Sequence, residues 1–270
     1  MRADYHLHSH HSSDAQPTVA EICQAAQAAG LAEICVTDHI DPHHPKPECA
    51  ALLNFPALLG EIHAAREAFA GLGLGVKVGL EIGDNAPYRQ EIYGILDALP
   101  LDFRLLSLHL VDGIDPYEPA YFAGRTQAVA YTAYVQAKLE SVLHFQDYDA
   151  LAHLGYCGKF APYPPQTRPL RWRHAPDHLD VLLRRLAVDG KALEINTSGL
   201  RQTDSPIPGW DILRRFAQLG GEFVTLGSDA HRAQDVGYRL AEGARVALSA
   251  GLRWGVTFTC RKPIPYTLEE

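Results

Sequence analysis

The sequence predicts an α/β fold of parallel strands closed into a TIM-like barrel. Three observations carry this. Roughly seven short apolar stretches of strand character alternate with stretches of helical length, and parallel strands need such helical crossovers. No GxGxxG follows the first strand, which disfavours an open dinucleotide-binding sheet. Histidines and carboxylates recur at the ends of successive strands, as a barrel whose strand ends converge on one mouth requires. The 270 residues contain no dividing stretch rich in glycine, serine or charge, so one domain over 1–270 is expected.

The elements follow in order. Asp4 to His8 alternates as a short strand, with His6 and His8 on one face and Leu7 on the other. Thr18 is placed to cap a helix from Val19 to Ala29, which Gly30 ends. Ala32 to Thr37 reads as a buried strand, and a proline- and histidine-rich loop from Asp41 to Pro47 precedes a helix from Phe55 to Ala70. A strand at Gly75 to Ile82, a helix at Tyr88 to Leu99, a strand at Phe103 to Leu108 and a long helix at Gln127 to Phe145 come next. The second half repeats the pattern. Strands are expected at Asp149 to Ala152, Ala192 to Asn196 and Phe223 to Leu226, and helices at Asp177 to Val188, Trp210 to Gln218 and Val236 to Ala250. Lys159 to Pro176 is a proline-rich loop, and Gly255 to Cys260 is a terminal extended piece.

Composition narrows the class. Hydrophobic residues make up 47% of the chain, enough for a sizeable core. The formal net charge of -8 disfavours nucleic-acid backbone binding, yet permits a small anionic substrate if divalent cations reverse the local field. Five scattered cysteines with no CxxC pair argue against a thiolate zinc site or disulfide framework. No secretory leader is visible, and no apolar run approaches the ~18 residues of a membrane span. A cytoplasmic enzyme of a small metabolite is the expectation; oligomeric state is left open.

The strand ends hold the chemistry. His6 and His8 lie on the first strand, with Asp14 following a polar turn. His39 follows Thr37-Asp38, Glu81 lies in Gly79-Leu80-Glu81-Ile82-Gly83, and His109 follows Ser107-Leu108. His153 closes Leu151-Ala152-His153, and Asp229 and His231 lie in Gly227-Ser228-Asp229-Ala230-His231. Singly, such a histidine is more often a hydrogen-bonded rim residue. Together, six imidazoles and three carboxylates are too many for one cation and suit two or three, with a carboxylate bridging. Asp38 and Asp41 are placed to orient imidazoles; His10, His11, His43 and His44 read as polar loop residues.

This ordered set resembles the PHP (polymerase and histidinol phosphatase) family, from His6 to about Pro265. Within it, Leu108 to Tyr117 and Leu193 to Arg201 are similar to the histidinol-phosphate phosphatase branch. The resemblance implies a distorted (β/α)7 barrel of the PHP type with three divalent metal ions, zinc, iron or manganese. It places one metal on His6, His8, Glu81 and Asp229, a second on Glu81, His109 and His153, and a third on Asp14, His39 and His231, with Glu81 as the bridge. The expected reaction is hydrolysis of a small phosphomonoester, L-histidinol phosphate in histidine biosynthesis, by a metal-bridging hydroxide. The catalytic residues are expected to be Asp229, His231 and Arg201. Phosphate is expected to meet Lys159, Arg201 and Asn196, although Asn196 fits equally well as the residue closing the turn before Ser198-Gly199. Lys159 stands where the branch typically has arginine, and a lysine lacks the bidentate fork; Arg168, Arg171 and Arg173 in the following loop are candidates to compensate. The alternatives are a PHP-type phosphodiesterase or nuclease, or a phosphatase of another phosphorylated metabolite.

Overall fold

The apolar runs become strands buried on both faces, as parallel strands under helices must be. A computed structural model describes residues 2–269. The order is β1 (Ala3–Leu7), α1 (Val19–Ala28), β2 (Glu33–Val36), β3 (His39–Ile40), α2 (Phe55–Phe69), β4 (Gly75–Gly83), α3 (Arg89–Asp97) and β5 (Phe103–Ser107). Then follow α4 (Pro119–Phe122), α5 (Gln127–His144), β6 (Ala150–Leu151), α6 (Pro176–Val188), β7 (Ala192–Asn196), α7 (Trp210–Gln218) and β8 (Phe223–Gly227). The chain finishes with α8 (Leu240–Ala250), β9 (Trp254–Thr259) and β10 (Lys262–Thr267).

The strands pair in the order β1-β2-β4-β5-β6-β7-β8-β9-β10, and β3 sits beside β4. All pairings are parallel except β9 with β10. The named strands do not close into an unbroken ladder. Instead β1 meets the segment after β8 through an isolated bridge between Leu7 and Ala230. Asp229 N donates to His6 O at 2.9 Å and His8 N to Ala230 O at 3.0 Å. The result is a distorted barrel, of the kind the resemblance implies.

The core has two layers. One packs α-helices on the outer strand faces. The other fills the lower barrel interior with Tyr5, Phe103 and Phe258 set among Ala3, Ala150, Ala152 and Ala192. Large and small side chains there alternate to fill the space, and above them the interior turns polar.

The seven expected parallel strands are all present, and the differences lie at punctuation. The helix expected from Val236 begins at Leu240, because Gly237 and Arg239 take left-handed φ of 74° and 50° and Asp4 Oδ2 accepts the Gly237 N–H at 2.9 Å. β3 is too short to show a period. β10 carries two prolines in six exposed or half-buried positions and reads as loop, yet an edge strand tolerates them.

Candidate metal centre

The register of β1 against β2 shifts between Asp4 and Leu7. Strict alternation would put Tyr5 and His6 on opposite faces. The shift lets Tyr5 pack in the lower barrel while His6 and His8 face the mouth, a re-aiming that β-bulges commonly perform. β3 does the same for His39, which pairs in register with Glu81. His153 and Asp229 stand just past the ends of β6 and β8 with φ of 25° and 52°, a strained backbone for residues with a side chain. Gly227 permits the closure, since a Cβ there would overlap Glu194 Oε1 and His6 Cβ.

These turns bring all nine predicted ligands to one place. Glu81 Oε2 lies 3.1 Å from His6 Nε2, 3.4 Å from His8 Nε2 and 3.1 Å from His39 Nδ1. Asp229 Oδ1 faces His6 Nε2 and His8 Nε2 at 3.7 and 3.5 Å. Glu81 Oε1 lies 2.7 Å from His153 Nε2 and 3.2 Å from His109 Nε2. Asp14 Oδ2 stands 3.3 Å from His231 Nε2 and 3.7 Å from His39 Nε2. Glu81 therefore touches all three clusters, meeting His39 of the third through Oε2, as a bridging carboxylate at their centre would.

The donor set fits divalent cations. His6 Nε2 and His8 Nε2 are buried without a hydrogen-bond partner while aimed at carboxylates. Burial opposes ionisation of Glu81, but the His6, His39 and His109 imidazoles outweigh it and hold its pKa well below the usual range. Burial likewise opposes ionisation of Asp229, and Lys159 and His6 hold it low. His8 is pushed well below the ordinary imidazole value by burial and by His231 and His39, so it is held neutral, the form that ligates.

A layer of partners fixes these side chains. Asp41 accepts from His109 Nδ1 at 2.8 Å, as its position suggested. Asp38 binds Ser9 N, Ser9 Oγ and Ser12 Oγ at 2.6 to 2.7 Å and shapes the loop after β1. Glu194 is the residue that sequence reasoning missed. Its Oε1 lies 2.5 Å from His6 Nδ1 and its Oε2 accepts His153 N at 2.6 Å, tying β1 to β6. The available clue was a carboxylate in the middle of an apolar strand, on the same face as Ala192 and Asn196.

The cluster forms the floor of a cavity of about 600 Å³ whose walls include Lys159, Arg201, Tyr156, Phe160 and Tyr117. Lys159 Nζ is 2.8 Å from Asp229 Oδ2. Arg201 lies 3.3 Å from Asp235 Oδ1 with its guanidinium 4.3 Å from the Tyr238 ring centroid. Asn196 is a correction. It is fully buried, its Oδ1 accepts from Ser198 N and Ser198 Oγ, and it does not reach the cavity wall, so it closes the turn after β7. None of the loop arginines lines the cavity either. Arg168 donates to Tyr163 O and Arg171 pairs with Asp211, while Lys46, Lys159, Arg201 and Arg232 are the cationic residues that line the cavity. His44 lines the cavity, whereas His43 pairs with Glu91 at 2.8 Å on the exposed surface.

Residues 4–198 match the PHP domain family. The chain belongs to the PHP family. The histidinol-phosphatase of Lactococcus lactis is 32% identical over 97% of this chain and 96% of its own length. A probable histidinol-phosphatase of Deinococcus radiodurans is 34% identical over 97% and 98%. Among solved structures, the L. lactis histidinol phosphate phosphatase in complex with zinc, L-histidinol and phosphate superposes at TM-score 0.88, with 31% identity and 97% and 98% coverage. A Listeria monocytogenes structure described as a putative histidinol phosphatase, 20% identical, shares the fold at TM-score 0.75, with 88% and 98% coverage. This PHP barrel thus groups with the histidinol-phosphatase branch along nearly its whole length. No helix among the described residues is long and apolar enough to cross a membrane.

Proposed function

We infer that the protein is a metal-dependent phosphoric monoester hydrolase that converts L-histidinol phosphate to L-histidinol and phosphate. The observation that carries this is the full-length likeness to an L. lactis enzyme crystallised with zinc, L-histidinol and phosphate. His6, His8, Glu81 and Asp229 would hold one cation, Glu81, His109 and His153 a second, and Asp14, His39 and His231 a third. Such cations, when bound, supply Lewis acidity towards phosphate oxygens and lower the pKa of a coordinated water.

The remaining work falls to the chain's own groups. Lys159 and Arg201 stand on the cavity wall beside the cluster, where their charges neutralise the phosphoryl oxygens as the leaving group departs. Lys159 does so as a point charge and Arg201 as a fork. Asp229, paired with Lys159 and near His231, orients the attacking water. Asp14 and His231, partly exposed, stand where the cluster meets solvent. The tyrosine and phenylalanine walls, with Tyr156 donating to Asp115 Oδ1 at 3.1 Å, suit a substrate with an aromatic ring and an amine. The net charge of -8 supports a small metabolite over a nucleic acid as partner, and five unpaired cysteines are in keeping with a reducing cytoplasm.

The test is a phosphate-release panel on metal-analysed protein with L-histidinol phosphate, other phosphomonoesters and a phosphodiester. The expected result is preference for L-histidinol phosphate. Fast turnover of the diester alone would overturn the reading.

A further inference from the structure

Two histidines of the first loop take no part in the mouth cluster. His10 and His11 turn away from it and, with Glu61 of α2, form a separate group of three metal-type donors. His10 Nε2 lies 2.8 Å and His11 Nε2 3.1 Å from the same oxygen, Glu61 Oε1. The two rings sit side by side at 4.4 Å. None of the three lines the mouth cavity.

We propose that His10, His11 and Glu61 form a further divalent-cation site, suited to Zn²⁺, that fastens the loop after β1 to α2. Two imidazoles and one carboxylate are a donor set that zinc takes with water in a fourth position. Donors on a tetrahedral zinc with bonds of about 2.0 Å stand about 3.3 Å apart, so the two pairs need to open only by a few tenths of an ångström. The donors are held from behind. His10 N donates to Pro17 O at 2.8 Å, His11 N to Ser9 Oγ at 3.3 Å, and Glu61 Oε2 accepts Val19 N at 3.3 Å. A metal site needs such outer support and a path of entry. His10, with 43% of its side chain exposed, provides the path.

The test uses the full chain equilibrated by dialysis against buffered micromolar Zn²⁺, with zinc per chain measured by mass spectrometry. The variants are His10→Ala and Glu61→Gln, the second preserving shape in case the first unfolds; circular dichroism checks folding. The expected result is about one zinc fewer per chain in each folded variant than in the wild type, with turnover of L-histidinol phosphate retained. Equal zinc content in wild type and Glu61→Gln would overturn the site. So would a zinc deficit accompanied by lost turnover, because the missing ion would then belong to the mouth.

Discussion

The two ends of the barrel treat buried charge in opposite ways. At the N-terminal ends of the strands, Asp102, Asp147 and Asp149 each have a cation from the chain itself. Arg104 pairs with Asp147, Arg261 with Asp149 at 2.5 Å and with Asp147 at 3.0 Å, and Arg66 with Asp102 at 2.7 Å. Asp102 also accepts Val78 N and Cys260 N. At the C-terminal ends, Glu81, Asp229, Asp41 and Asp14 face imidazoles and, for Asp229, the single ammonium of Lys159. The first end is balanced by protein groups and serves stability. The second carries more buried negative charge and ligand nitrogen than its own cations can satisfy, an arrangement that calls for metal ions from solution.

The sharpest way to break the contrast is to remove a ligand at the mouth. Replacing His153 or Asp229 by alanine is expected to cut phosphate release by about a thousandfold or more, since several kcal/mol of charge stabilisation at phosphorus depend on the cations. Metal content should fall with it. Near wild-type turnover in either variant would sink the ligand assignment.

Lys138 probes the boundary between the two regions. It is fully buried on α5, its Nζ has no hydrogen-bond partner among the described residues, and burial lowers its pKa to about 7, against smaller raising effects of Glu81 and Glu194. The folded state therefore binds fewer protons than the unfolded chain between about pH 7 and the ordinary lysine value, and stability rises with pH across that window. Lys138→Met should stabilise the protein at pH 7, on the order of 4 kcal/mol, and flatten this slope. Denaturant midpoints measured at pH 7 and pH 9 decide it; a destabilised variant would show that the amine has a compensating role.

At the other end, Asp149→Ala should cost about 2 kcal/mol of stability by removing one of the two carboxylates on Arg261 and leaving the buried Arg104 backbone N–H unpaired, while kcat and metal content hold. A comparable loss of turnover would erase the division of labour. Glu194→Gln is the mildest test. It keeps the shape but weakens the hold on His6 and the His153 backbone, so metal affinity should drop by about 10- to 100-fold with little change in thermal stability. Metal titration followed by phosphate release reads the effect.

Much of this was legible in the residues themselves. Apolar runs with turn punctuation are local information, so the seven parallel strands and most helices can be read directly. Six histidines and three carboxylates at strand ends announce their chemistry by type and place, and barrel geometry then implies that they meet. What local pattern could not supply was the set of long-range contacts. Glu194 is one acidic residue in a strand until β1 and β6 are brought to it. Asn196 fits substrate or turn equally well until its amide is seen bonded to Ser198. β10 looks like a proline-rich tail until β9 offers it an edge.

The sequence by itself determined the fold class, the family and the identity of the ligand-type residues, because periodicity, punctuation and side-chain chemistry are properties of the chain. Only the tertiary structure decided which oxygen faces which nitrogen. The register shift in β1, the left-handed turns at His153 and Asp229, and the close approach at Gly227 arise where strands meet, and those contacts join residues as far apart as His6 and Asp229.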